Sequence, residues 1–299
     1  MDTAMTTHTS PSTTLRIEPA ALNALLGRAN TPLILDVRRE PKFVESKRIV
    51  CGSVRCTPEN VEAFALSHSP QNVVVYCVYG HNVSEDATTQ LRLAGWGAQA
   101  LAGGIEGGKE GNDADADTAH NLAAWRTQTL PTIQKRPDWG VTGENPSRWI
   151  TRARPKIDRI ACPWLICRFI DPRAEFFYVP TEQVFAEAKR LNAVAYDIPG
   201  APVSHEGDLC SFDALIKGFD LHLPALDILA RIVRGADTDR LDLAAQSAGL
   251  LALSLGLSRL HGSDDHAMLA AAMPMYDALY AWCHDKAHAQ DEAHNWKPV

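Results

Sequence analysis

One cysteine lies where a buried strand is predicted to pass into a helix. The apolar run 73–76 is typical of a core strand, and residues 84–93 have the polar and apolar spacing of a helix. The loop and the positions that follow it are Cys77, Val78, Tyr79, Gly80, His81, Asn82, Val83 and Ser84. Such a turn directs backbone N–H groups and the positive end of the helix at one point. An anionic sulfur at Cys77 would be stabilised there, which suits a thiol that carries sulfur. The alternative is a buried structural cysteine at a strand end.

A second group of reactive side chains lies within six residues. It consists of His205, Glu206, Asp208 and Cys210, downstream of Asp197, and Asp158 could approach it from another segment. Mixed nitrogen, oxygen and sulfur donors suit zinc or iron. The spacing matches no standard zinc pattern, so a hydrogen-bonded loop without a metal is an equally good interpretation.

Three arginines precede a predicted helix in the same half of the chain. Arg152, Arg154 and Arg159 could hold a tetrahedral dianion such as sulfate or chromate between their guanidinium groups and the free amides of the helix. The alternative is a set of solvated or ion-paired arginines, with Asp158 and Asp171 as partners.

The first half of the sequence has the pattern of an α/β sheet that could position the cysteine loop. Helices are predicted for 19–26, 60–66, 84–93 and 118–127, and strands for 33–37, 73–76 and 98–101. Because helices alternate with strands, we expect a parallel sheet flanked by helices. Residues 1–14, rich in Thr and Ser, are predicted to form a disordered tail.

The second half is predicted to be an α+β domain with a helical C-terminal half. Residues 130–146 combine prolines and glycines with little periodicity, which is typical of a linker. We therefore place one domain at 15–129 and another at 147–299. The second has strand patterns at 148–152, 176–179 and 194–197, helix patterns at 163–169 and 182–191, and helical spacing to its end.

The composition indicates a soluble protein. With 299 residues of which 45% are hydrophobic, the chain can build two cores. A net charge of −7 argues against nucleic acid as a partner. The longest apolar stretch, 243–260, contains polar side chains and falls short of a membrane span. Seven cysteines without a secretory signal favour reduced thiols in the cytoplasm.

Several segments around the cysteine loop form a familiar set. They are 35–38 with Glu40, 74–77 with Gly80 and Ser84, 93–96, and 101–105. With these segments, residues 30–108 resemble a rhodanese-type sulfurtransferase domain. The resemblance implies a persulfide on Cys77, which takes sulfur from a small-molecule donor such as thiosulfate and passes it to a thiol or a cyanide-like acceptor, with no cofactor. The six-residue loop is the size that the family associates with sulfur substrates.

Two residues near the loop have open roles. Arg38 is a candidate for the substrate entrance, and a structural ion pair with Asp36 is the alternative. His81 either holds a positive charge near the sulfur anion or is a solvent-exposed loop residue.

The second half carries its own set of motifs, at 148–152, 154–166, 168–172 and 204–212. Through them residues 148–296 resemble the C-terminal domain of ChrB-type chromate-resistance proteins, which implies a connection with chromate or oxyanion stress. The sequence as a whole therefore predicts a cytoplasmic sulfurtransferase-type protein linked to that stress. One alternative is a chromate- or metal-binding sensor in which the rhodanese-like domain transmits the signal. Another is a thiol-dependent chromate reductase.

Overall fold

The computed structural model describes residues 15–107, 124–126 and 128–290, and these residues form two compact units. The first unit contains the chain up to Leu25, Pro32–Ser46 and Ser53–Leu130; the second contains Leu26–Thr31, Lys47–Gly52 and the chain from Pro131 onward. The predicted tail 1–14 and most of the predicted helix 118–127 lie outside the described residues.

Ten strands and ten α-helices make up these units. The strands are β1 (Arg16–Ile17), β2 (Leu33–Asp36), β3 (Arg48–Val50), β4 (Ser53–Arg55), β5 (Asn72–Tyr76), β6 (Gly97–Leu101), β7 (Thr132–Gln134), β8 (Arg148–Arg152), β9 (Glu175–Val179) and β10 (Val194–Ala195), all within the described part of the chain. The helices described are α1 (Pro19–Asn23), α2 (Glu40–Glu45), α3 (Val61–Ser67), α4 (Asn82–Leu93), α5 (Asp158–Leu165), α6 (Val184–Leu191), α7 (Ser211–Phe219), α8 (Pro224–Asp237), α9 (Ser247–His261) and α10 (Asp265–Ala287).

The first unit is built on a five-stranded parallel sheet. Its strand order is β1-β6-β5-β2-β4, and β5 lies in the middle, with Val74 beside Ile34 of β2 and Gln99 of β6. The centres of strands 2 and 5 are buried and apolar, at Ile34–Leu35 and Val73–Val75, because helices connect and cover parallel strands. The predicted α/β class is therefore confirmed. All carboxyl ends of the parallel strands point the same way, so the residue after β5 lies at the edge where such sheets bind ligands.

The second unit joins a small parallel sheet to helices. Strand 8 lies between β10 and β9, and the described residues from α7 onward are mainly helical, as expected. The predicted linker 130–146 contains strand β7, which pairs antiparallel with β3, and a buried Trp139. Because strand β7 is paired and Trp139 is buried, this stretch is part of the second unit and is not a free linker.

Helix α5 differs from its prediction. The helix was expected to start at Pro163, yet it starts at Asp158 and holds Pro163 in its interior. A proline there removes the N–H that would bind the carbonyl four residues earlier. That carbonyl, on Arg159, instead accepts a hydrogen bond of 3.2 Å from the Tyr196 hydroxyl. The buried tyrosine thus satisfies the group that the proline leaves open.

None of the helices in the described residues is both long and apolar enough to cross a bilayer.

Candidate functional site

The Cys77 loop connects the central strand of the first unit to α4. Strand 5 ends at Tyr76 and the helix starts at Asn82, so five residues connect them, and Asn82, the last of the six residues expected in the loop, belongs to the helix. Gly80 has a φ of +72°, a conformation that a side chain would strain. That turn reverses the chain and points the Gly80 amide back at the cysteine.

The Cys77 sulfur is surrounded by polar groups although the residue is only 5% exposed. The Gly80 N–H donates to Sγ at 3.2 Å, and the hydroxyl of buried Ser84 lies 3.3 Å from it. The sulfur also lies 3.8 Å from the carbonyl oxygen of His81, which accepts a hydrogen bond from the Ser84 hydroxyl at 3.1 Å. The site therefore offers an anionic sulfur the Gly80 N–H as a donor at the start of a helix, with the Ser84 hydroxyl beside it.

Contacts with the segment around Gly104 hold the Cys77 loop in place. The N–H groups of Ile105 and Glu106 donate to the carbonyl oxygens of Cys77 and Val78 at 3.0 and 2.9 Å. A Cβ added at Gly104 would lie 2.5 Å from the Gly80 nitrogen and 2.6 Å from the Cys77 oxygen. Only glycine allows two backbones to approach so closely, so the loop is fixed by contacts that a larger residue would break.

In the second unit, four side chains from separate segments converge. The His205 Nε2 atom lies 3.2 Å from Asp237, 3.3 Å from Asp197 and 3.7 Å from Asp158, measured to the nearest carboxylate oxygen. One ligand atom from each of the four lies within 4.8 Å of the others. We call these four residues the aspartate–histidine cluster.

Asp158 is the most buried member of the aspartate–histidine cluster. It is fully buried and accepts hydrogen bonds from the backbone N–H groups of Ser211 at 2.6 Å and Phe212 at 2.9 Å. These groups open α7, so the carboxylate also neutralises the positive end of that helix. Burial nevertheless raises the pKa of Asp158 to about 7, with Asp237 and Asp197 adding repulsion.

The pKa values of His205 and Asp237 are also shifted by the neighbouring carboxylates. A hydrogen bond to Asp197 raises the pKa of His205 to about 9, and the other two carboxylates add to this shift although burial opposes it. Burial and the nearby Asp197 raise the pKa of Asp237. Burial of the two acids and the close approach of the three carboxylates around one imidazole therefore raise the pKa of Asp158, Asp237 and His205 above their ordinary values.

Comparison with known proteins finds two family models, each of which matches a separate region of the chain. Residues 18–110 match the family model of the rhodanese-like domain, and residues 149–283 match the model of the ChrB C-terminal domain. The chain combines a rhodanese-like domain with a ChrB C-terminal domain. Both resemblances expected from the motifs are thereby confirmed.

Among curated proteins, the chain is similar to Protein ChrB of Cupriavidus metallidurans. The two are 32% identical over 151 residues, which are 47% of this chain and 45% of the relative. The chain thus spans less than half the length of that protein.

Two solved structures are similar to the rhodanese-like part. A rhodanese homologue of Thermus thermophilus is 23% identical, with 30% of this chain and 95% of that chain covered and a TM-score of 0.25. The thiosulfate sulfurtransferase of Pseudomonas aeruginosa is 19% identical, with 41% and 20% covered and a TM-score of 0.29.

In the rhodanese-like domain, Arg38 lies inside and not at an entrance. It is 1% exposed and its guanidinium donates to both oxygens of Asp36, at 2.6 to 3.0 Å. The Tyr76 hydroxyl donates to the same carboxylate at 2.7 Å. The alternative of a structural ion pair therefore describes both residues.

The remaining loop residues form the rim of the site. Val78, Tyr79, His81 and Val83 are half-buried and Asn82 is exposed. Two roles were considered for His81, a positive charge near the sulfur anion and a solvent-exposed loop residue. In the structure the residue is half-buried, and its carbonyl oxygen lies beside the sulfur.

In the ChrB C-terminal domain, only His205 of the four predicted metal ligands belongs to the aspartate–histidine cluster. Exposed Glu206 pairs with Lys217 at 2.6 Å, and Asp208 is exposed. Buried Cys210 caps α7, and its sulfur lies 3.4 Å from Asp213. A tight turn at Gly207 and Asp208, closed by the bridge between Glu206 and Leu209, separates these side chains, so the four do not meet.

Asp237 is the cluster member that sequence reasoning missed. It is the last residue of α8, where the negative end of the helix disfavours a carboxylate. Asp237 is half-buried, and an acidic residue at the C-terminal end of a helix is the signal that the sequence contains.

The three predicted oxyanion-binding arginines do not face one open space. Arg152 and Arg159 both lie 3.2 Å from Asp197. Arg154 is exposed, and its backbone N–H donates to Asp265 at 2.9 Å. Two of the three are therefore ion-paired, with Asp197 as the partner in place of the expected Asp158 and Asp171.

Proposed function

We propose that the rhodanese-like domain is a sulfurtransferase that carries a persulfide on Cys77. The observation that supports it is the 3.2 Å hydrogen bond from the Gly80 amide to the sulfur, in a loop fixed at the start of α4. A donor already aimed at the sulfur needs no reorganisation when negative charge develops there.

The reaction consists of two displacements at sulfur. The Cys77 thiolate attacks the outer sulfur of a donor such as thiosulfate, forms a new S–S bond, and releases sulfite with the electron pair of the broken bond. A thiol or cyanide then attacks the outer sulfur and leaves as a persulfide or thiocyanate, while the electron pair returns to Cys77 as thiolate. No oxidant or cofactor is consumed.

The ChrB C-terminal domain connects this activity to chromate or related oxyanion stress in our proposal. Its support is the match over residues 149–283. Expression in a chromate-sensitive bacterium tests the connection: the native chain should raise the tolerated chromate concentration, and an equally expressed Cys77→Ser variant should not. Equal protection by both would separate the two functions.

Cys77→Ser should abolish sulfur transfer from thiosulfate to cyanide, because a hydroxyl cannot hold the outer sulfur. Thiocyanate formation measures turnover, and mass spectrometry of the native protein after thiosulfate should show a gain of about 32 Da for one added sulfur. Native protein without either signal, or a variant that keeps both, would refute the proposal.

Cys56→Ser is the matched control. Cys56 follows β4 as Cys77 follows β5, and it is also 5% exposed. Burial raises the pKa of Cys56 to about 11, so this thiol stays protonated and inert at neutral pH. The control should therefore keep the native rate and mass gain.

A further inference from the structure

The spacing within the aspartate–histidine cluster fits a bound cation. Ligands of an ion such as zinc lie about 2.0–2.2 Å from the metal, which places neighbouring ligand atoms roughly 3–3.5 Å apart. His205 Nε2 lies 3.2 and 3.3 Å from Asp237 and Asp197, and 3.7 Å from Asp158. Two of these distances lie in that range and the third slightly beyond it, and one ligand atom from each of the four residues lies within 4.8 Å of the others.

Hydrogen bonding alone does not account for this arrangement. An imidazole Nε2 carries at most one hydrogen, yet three carboxylates face it. Arg152 and Arg159 both approach Asp197. Among the described residues, the buried Asp158 and Asp237 form no ion pair with an arginine or lysine, and each is paired with His205. A dication would contact all three acids at once.

We infer that His205, Asp158, Asp197 and Asp237 bind one divalent first-row transition metal ion, such as Mn²⁺, Fe²⁺ or Zn²⁺. Three carboxylates and one imidazole favour such an ion over a thiolate-bound metal, and the imidazole disfavours Ca²⁺ and Mg²⁺. Cys210 takes no part because its sulfur is turned to Asp213.

Neighbouring groups hold the ligands in orientation, as metal sites require. The Ser211 and Phe212 amides fix Asp158, and the Ser211 hydroxyl donates to Asp197 at 3.2 Å. The His205 side chain is 39% exposed, which leaves a path by which an ion reaches the buried acids. The inference goes beyond sulfur transfer and does not depend on Cys77.

Titration of the full chain with MnCl₂ after chelator treatment tests the inference. Free Mn²⁺ is followed by its EPR signal, and ZnCl₂ competition measures relative affinity. Native protein should bind one Mn²⁺ per chain. His205→Gln and Asp237→Asn should each weaken binding by more than the roughly 10- to 100-fold that loss of an outer-shell partner costs.

Asp208→Asn is the matched control for Asp237→Asn. It makes the same substitution at an exposed aspartate near His205 in the chain and should leave affinity unchanged. The inference is overturned if native protein binds no Mn²⁺, if Asp237→Asn binds as native does, or if Asp208→Asn loses binding. Cys77→Ser should bind normally, so failure of sulfur transfer and failure of metal binding are distinguished.

A measurement on native protein covers the case in which the variants do not fold. Bound paramagnetic Mn²⁺ should broaden the amide NMR signals of Ser211 and Phe212, whose N–H groups contact Asp158. Sharp signals for both at saturating Mn²⁺ would exclude an ion at this position.

Discussion

At the residue scale, the contact between Gly80 and Gly104 decides where the Cys77 sulfur lies. Each glycine has a positive φ, +72° and +59°, and each backbone occupies the space that the other's Cβ would need. The glycines therefore serve two purposes, since they permit the turn and they permit the close approach. The segment 101–105 is thus part of the site although it contains no reactive side chain.

Gly104→Ala should destabilise the rhodanese-like domain and slow sulfur transfer while Cys77 is intact. The added Cβ would lie 2.5 Å from the Gly80 nitrogen, so the loop must move; overpacking of this kind costs about 1–3 kcal/mol. Chemical denaturation measures the free energy of unfolding, and the thiosulfate–cyanide assay measures the rate.

Gly140→Ala separates this clash from backbone strain. Gly140 has a φ of +65° and open space within 4 Å of its Cβ position, so it should lose only the roughly 1 kcal/mol of an unfavourable backbone conformation and keep the native rate. If Gly104→Ala were as mild and as active as Gly140→Ala, the close-packing explanation would be wrong.

At the element scale, the N-terminus of α7 joins several parts of the ChrB C-terminal domain. Asp213 accepts the backbone N–H of Cys210 at 3.0 Å and a two-pronged contact from Arg234 of α8, at 3.0 and 2.8 Å. Hydrogen bonding to Asp213 raises the pKa of Arg234. One carboxylate therefore caps a helix and ties it to the next.

Asp213→Ala should cost about 2–4 kcal/mol of unfolding free energy, because it leaves a buried amide and a guanidinium without an acceptor. Asp264→Ala provides the comparison. Asp264 also caps a helix, through the Ala267 amide at 2.9 Å, but is exposed, and loss of such a cap costs about 0.5–2 kcal/mol. Equal losses in denaturant titrations would show that burial and the Arg234 contact contribute nothing.

At the scale of the whole molecule, the two proposed activities lie in different units. Sulfur transfer is proposed for the first and metal binding for the second, and each unit has its own sheet. The competing sensor function would instead place chromate binding in the second unit.

We expect chromate and sulfate to bind the metal-free protein weakly, because Arg152 and Arg159 already share an ion-pair partner, Asp197, which would repel an anion placed between them. Calorimetric titration measures this directly. A tight complex that disappears in Arg152→Ala but persists in Cys77→Ser would contradict the expectation and favour a sensor.

The sequence alone determined the features that depend on neighbours in the chain. The parallel sheet, the strand before Cys77 and the helix after it follow from hydrophobic periodicity, since strand, loop and helix are contiguous. The glycine motif was also visible, and so was the Asp36–Arg38 pair, because only one residue separates its members.

Only the tertiary structure decided which side chains meet across distance. Asp158 and Asp237 are 79 positions apart, and their approach depends on how α5, α7 and α8 pack. Sequence proximity suggested Glu206, Asp208 and Cys210 as partners of His205, but the tight turn at Gly207 and Asp208 directs these side chains apart. Arg152 and Arg159 are likewise paired by Asp197, whose position the fold fixes and the spacing of residues does not.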